Sequence, residues 1–106
     1  MSKSEVVKQS IRTGSFALGQ IVMTRGVNDM VAEDEDFAKA VLNCLRRHAS
    51  GDFGELCEED HKLNEQAVAS GEDRIFSSYE SHIKEKIWII TEWDRSATTI
   101  LFPDEY

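Results

Sequence analysis

The chain has 106 residues, a net charge of −8, 41% apolar residues and 30% charged residues. That size fits one domain, and the composition is too hydrophobic for a disordered chain. Its acidity disfavours direct binding to nucleic acid, which needs a basic footprint on the phosphates. The longest unbroken apolar run is residues 87–90, far short of a membrane span. The N-terminus, MSKSEVVKQSIRTGS, lacks the apolar segment of a secretory signal. Cys44 and Cys57 form no disulfide framework, so two reduced thiols in a cytoplasmic setting are expected.

Residues 1–15 show no periodicity and read as a weakly ordered arm before a single domain over 16–106. Residues 20–24 predict a first strand, closed by Arg25 and Gly26, with Asn28 capping a short helical turn around Met30 and Val31. Phe37, Ala40, Val41, Cys44, Leu45 and His48 then recur on one face of a helix. Asp34, Glu35 and Asp36 occupy its first turn and Arg46, Arg47 and His48 its last, as the helix dipole favours. His48 is read as capping the last carbonyls, and Gly51 as a left-handed stop.

A second helix is expected over residues 57–70, with Leu56, Leu63 and Ala67 as a thin apolar stripe and Gly71 at its end. Residues 74–79 alternate as a strand does. Residues 86–92 are apolar on both faces and rich in β-branched residues, which predicts a central strand. A polar connection, residues 93–96, leads to a last strand over 97–102 that Pro103 ends. The expected fold is α+β: an antiparallel sheet of about four strands, in the order β-α-α-β-β-β, packed on one face by two main helices.

The acidity is concentrated in the middle. Residues 1–28 carry four bases against one acid, residues 29–73 thirteen acids against four bases, and residues 74–106 six acids against four bases. An acidic surface repels DNA and attracts proteins that bind it.

The stretch GDFGELCEEDHK, residues 51–62, has the densest chemistry. Its Asp-Phe-Gly matches the magnesium-binding triplet of protein kinases, but the chain has no glycine-rich loop, strand lysine or catalytic Asp/Asn loop. The expectation is architectural: glycines turn the chain, Phe53 plugs the core and Asp52 bonds nearby amides. A metal would draw on His48, Asp52, Cys57 and His61, yet no second Cys or His pair completes a zinc motif. Cys57 at a helix start, followed four residues later by His61, has the ingredients of a thiol enzyme. The other parts of a catalytic site are unfilled. No cofactor or metal is expected, and the protein is read as non-enzymatic.

Two features point to a protein partner. Glu33, Asp34, Glu35 and Asp36, with Glu58, Glu59 and Asp60, place carboxylates at two helix starts, an array resembling a phosphate backbone. Trp93, flanked by Glu92, Asp94 and Arg95 at a hairpin tip, either anchors a partner or folds back over the sheet edge.

Gly51-Asp52-Phe53-Gly54, Glu59-Asp60, Asn64-Glu65, residues 87–92, Asp94-Arg95-Ser96, Thr98-Thr99 and Leu101-Phe102-Pro103 with Glu105-Tyr106 together resemble a family of small bacterial proteins of plasmids, phages and integrative elements, the plasmid-related proteins. The resemblance covers about residues 20–106 and carries no catalytic residues. Cys57, where Ser or Thr would cap better, and Trp93, which interrupts the hairpin pattern, depart from it. The resemblance implies a mobile-element origin. By analogy of setting and charge it implies an anti-defence inhibitor, of CRISPR or restriction enzymes, that occupies a nucleic-acid-binding surface. The alternative is an accessory protein of plasmid or phage maintenance or transfer, acting through the hairpin.

Overall fold

A computed structural model describes residues 16–81 and 85–106; the expected arm over 1–15 lies outside them. The chain forms β1 (Gln20–Met23), α1 (Arg25–Glu33), α2 (Glu35–Ala49), α3 (Glu58–Ser70), β2 (Ile75–Glu80), β3 (Lys86–Thr91) and β4 (Ala97–Leu101), then a 3₁₀ turn, Pro103–Glu105. The strands form one sheet in the order β1-β4-β3-β2. The fold is α+β, with β3 in the interior as its doubly apolar sequence requires. The sheet is mixed and not purely antiparallel. β2, β3 and β4 make an antiparallel meander, but β1 joins the far side of β4 in parallel, from Gln20 opposite Ala97 to Met23 opposite Ile100. A parallel neighbour needs a long crossover, and the three helices and the meander supply one.

The helix count also differs. Arg25 and Gly26 do not close the strand; they open α1, a full helix in place of the expected single turn. The N-cap, Thr24, makes no side-chain bond to its own helix. The cap comes from the C-terminus: the Glu105 carboxylate accepts from Gly26 N–H at 2.8 Å, Thr24 Oγ1 at 2.5 Å and Phe102 N–H at 3.0 Å. Burial works against that charge, but these donors outweigh it and hold the carboxyl below its ordinary range.

α2 follows its sequence closely. Asp34 caps it by accepting from the backbone N–H groups of Asp36 and Phe37 at 3.0 and 3.1 Å. Phe37, Val41 and Cys44 are buried and pack with Val27 of α1 against Tyr79, Ile87, Ile89 and Ile100. Just past the C-cap Ser50, Gly51 has φ of +93°, the left-handed stop its position predicts.

α3 is rotated from expectation. Leu63 is 61% exposed, whereas Asn64 is buried. The reason is the edge of β2, where the Asn64 side chain donates to Phe76 C=O at 2.6 Å and accepts from Phe76 N–H at 3.0 Å. An outward-facing strand group left unpaired near the core would cost about 1–3 kcal/mol. That outweighs the modest gain from turning one leucine inward.

His48 is the fourth correction. It caps no carbonyl; it lies fully buried against the sheet. Its Nδ1 is 2.5 Å from Ser77 Oγ and its Nε2 is 2.8 Å from Thr91 Oγ1. Thr91 meets Thr98 at 2.7 Å, and Thr98 donates to Leu18 C=O at 2.6 Å. A carbonyl can only accept, so the direction of the whole chain follows. Thr98 spends its proton on Leu18, Thr91 donates to Thr98, His48 donates from Nε2, and Ser77 donates to Nδ1. The imidazole is neutral, and burial pushes it down to about 3.

Candidate partner-binding surface

The turn between β3 and β4 is held by one side chain. Arg95 donates from Nη1 to the carbonyls of Asp73 at 2.6 Å, Trp93 at 3.0 Å and Glu92 at 3.2 Å, and from Nη2 to Ala67 C=O in the last turn of α3 at 2.8 Å. Its φ is +61°, a left-handed conformation that costs a non-glycine residue about 1–2 kcal/mol. Four charge-assisted bonds to backbone offset that cost. Glu92 N–H donates to Ala97 C=O at 2.9 Å and closes the hairpin.

Trp93 stands out of this fixed turn, 63% exposed. Beside it is an open depression of about 680 Å³ lined by Glu72, Asp73, Arg74, Glu92 and Trp93. Arg74 donates to Tyr106 Oη at 2.7 Å and lies 5.8 Å from that ring's centre, so three carboxylates and one guanidinium surround the indole. Asp94 is exposed, and hydrogen bonding from Ser96 holds its carboxyl below the usual range. Local sequence pointed to Trp93 and Asp94 and missed Glu72, Asp73 and Arg74. Strand register was the available signal: with Ile75 opposite Thr91, Arg74 falls beside Glu92.

The two acid runs belong to the starts of different helices, α2 and α3. Glu33, the last residue of α1, and Glu35 and Asp36 at the start of α2 are exposed, while Asp34 is partly buried as the cap of α2. Glu58 and Glu59 are exposed and Asp60 partly buried at the start of α3. The whole of α2, about 22 Å of helical rise for its length, separates the first run from the joint leading to the second.

The joint over residues 51–54 is built into the core. Phe53 is 4% exposed and packs with Ala67 and Ile75. Gly54 has φ of +75°, and a Cβ there would sit 2.1 Å from Ser78 O. Asp52 accepts from Gly54 N–H at 3.2 Å and pairs with Arg47 at 2.7 Å. The Arg47 bond is the main reason its carboxyl lies below the ordinary range. Its backbone carbonyl accepts from Tyr79 Oη at 2.6 Å. Every part of the triplet is engaged in structure.

Among the described residues no cysteine is hydrogen-bonded to a histidine. Cys57 is exposed and Cys44 buried, where burial pushes the Cys44 thiol up and makes it less reactive. Ser77 and His48 have the contact of a nucleophile and its base, but both are 0% exposed and no substrate reaches them. Among the described residues no three His, Cys, Asp or Glu side chains gather to hold a metal. No helix there is long and apolar enough to cross a membrane. Comparison with protein-family models, curated proteins and solved structures finds no match.

Proposed function

We propose that this is a non-enzymatic protein-binding module that docks through Trp93 and the carboxylates around it onto a basic surface of its partner. The observation that carries this reading is a tryptophan held out of the fold on a turn that Arg95 has already ordered. An exposed aromatic on a rigid support loses little conformational entropy on binding, and tryptophan is enriched among residues that dominate interface energy. Around the anchor Glu72, Asp73, Glu92 and Asp94 outnumber Arg74 and Arg95, which leaves the patch net acidic. The matching partner surface is basic, as in the nucleic-acid channel of a CRISPR or restriction complex. The carboxylates at the starts of α2 and α3 add long-range attraction, which speeds encounter and weakens with salt.

The test is binding to a panel of purified CRISPR effectors and restriction enzymes, with and without competing duplex DNA. Trp93→Ala should weaken the complex at least about thirtyfold, the scale of an interface hot spot. Reversing Glu33, Glu35, Glu58 and Glu59 to Lys should mainly slow association. The opposite pattern, a silent Trp93→Ala and binding abolished by charge reversal, would move the working surface to the helix starts. No binding across the panel would end the anti-defence reading.

A further inference from the structure

The sheet treats its two edges differently. At β2 the outward backbone groups are covered: Asn64 takes both groups of Phe76, Ser78 N–H donates to Phe53 C=O at 3.1 Å, and Glu55 N–H donates to Ser78 C=O at 2.7 Å. At β1 no described residue does this. Gln20 N–H donates to Ser96 C=O and Thr24 N–H to Ile100 C=O, so residues of that parity face β4. Ile21 and Met23 turn their N–H and C=O groups outward. All four β1 residues are exposed, with Ile21 at 43%, Val22 at 38% and Met23 at 37%. Soluble proteins blunt free edges with charge, proline, bulges or a covering segment. Residues 18–24 contain neither a charge nor a proline.

We infer that β1 is a docking strand for a second copy of this chain, paired antiparallel about a two-fold axis through Val22. The strand is self-complementary in that register. Ile21 lies opposite Met23 of the second copy, and each such pair exchanges both N–H···O=C bonds, as a hydrogen-bonded antiparallel pair does. Val22 meets itself, so apolar meets apolar along the strand and no like charges oppose. Isologous pairing of this kind is the commonest route to a symmetric dimer. The charge beside this edge is mixed and slight: Arg25 follows β1, Glu105 is tied to Thr24 and Gly26 by hydrogen bonds, and α3 with its carboxylates packs on β2, at the opposite edge of the sheet. A four-residue strand pair falls short of the roughly 1,200–2,000 Å² that stable interfaces bury. The dimer is therefore weak and concentration-dependent.

The surface is separate from Trp93, and the two readings fail separately. Sedimentation velocity on the full chain, from about 10 µM to about 1 mM, should show monomer passing to dimer. Over the same range the amides of Ile21 and Met23 should gain protection from hydrogen exchange, while Val22, already bonded to β4, stays constant. Ile21→Lys should weaken the dimer at least about tenfold, because a lysine on the edge opposes strand pairing, with an unchanged circular dichroism spectrum. Leu42→Lys, at an apolar residue of similar exposure on α2, and Trp93→Ala should leave it intact. A monomer throughout, a dimer indifferent to Ile21→Lys, or dimerisation that protects other amides and leaves Ile21 and Met23 unchanged would each overturn the inference. The exchange experiment needs only the wild-type chain, so it decides even if a variant misfolds.

Discussion

The joint at residues 51–54 and the turn at residues 92–96 use the same means to opposite ends. Each is a short polar loop with an arginine tied into it and one aromatic at its centre. At the joint, Arg47 grips Asp52 and the chain sends Phe53 inward to 4% exposure. At the turn, Arg95 grips four carbonyls and the chain sends Trp93 outward to 63%. The joint holds the more suggestive motif and is scaffold. The turn matches no motif of catalysis or metal binding and holds the better candidate surface. What separates them is where the ordered loop puts its aromatic, a property of tertiary structure.

The largest expected effect lies under the joint, where Phe53 packs edge-on against His48 with ring centres 6.0 Å apart. The folded imidazole titrates near 3, and the unfolded one near 6.5. Above about pH 6.5 both are neutral and the group is silent. As pH falls from there toward 3 the unfolded chain takes up a proton that the folded chain refuses, so stability drops by about 1.4 kcal/mol per unit. The accumulated loss is at most about 5 kcal/mol, a large share of the 5–15 kcal/mol of a typical domain. Urea titrations at several pH values should show this limb in wild type and a flatter one in His48→Gln, measured as a slope so that any constant cost cancels.

The comparison is sharpest in a matched pair of truncations. Phe53→Ala should cost about 3–5 kcal/mol, as large aromatic deletions in cores do, with a clear fall in melting temperature. Trp93→Ala should stay within about 0.5 kcal/mol, as exposed positions do, while partner binding is lost. Equal destabilisation by the two would mean that Trp93 packs as part of the fold, and the proposed surface would lose its anchor.

Much of this arrangement could be read locally. α2 announced itself through its stripe, the acids at its start, the bases at its end and Gly51, because every determinant lies within the helix or one turn of it; that Asp34 is the cap itself came from the structure. β3 was legible as central from apolar residues on both faces. What escaped was set from a distance. α1 is capped by Glu105, at the other end of the chain. α3 is oriented by the backbone of Phe76, so Asn64 displaced Leu63. β1 is parallel because its partner is the last strand. His48 looked like a helix cap because the hydroxyls that hold it, Ser77 and Thr91, belong to two later strands. The candidate surface divides likewise: Trp93 was visible, and the acids completing its depression arrive from the loop before β2.

Breaking the turn is the next smaller effect. Arg95→Ala removes four backbone partners, including the carbonyl of Ala67 that ties the turn to α3. A positive φ remains without compensation. The expected cost is about 1–3 kcal/mol, the scale of charge-assisted bonds lost at a partly exposed site. Arg95→Gly should be milder by about 1 kcal/mol, because glycine accepts the backbone without strain. In both variants Trp93 is no longer held, so affinity for a partner should fall more than stability does. Chemical denaturation alongside binding measures both quantities; if the two losses match, preorganisation of the turn contributes nothing to binding.

The smallest effect tests the joint at its most motif-like residue. Asp52→Asn removes a charge but keeps Oδ1, which accepts from Gly54 N–H, and leaves untouched the backbone carbonyl that accepts from Tyr79. The pair with Arg47 is lost, yet both partners are about half exposed, and such surface pairs contribute about 0–1 kcal/mol. The melting temperature should therefore shift by only a few degrees at neutral pH. The charged partnership keeps the carboxyl below its ordinary range, so it stabilises the fold above the unfolded carboxylate pKa near 3.9 and loses that contribution as pH falls through the lower folded value. The variant and wild type should accordingly converge in strong acid, in thermal melts compared at the same pH. A folded Asp52→Asn protein that had lost partner binding entirely would make the joint part of the working surface, and the contrast between the two loops would fail at its scaffold end.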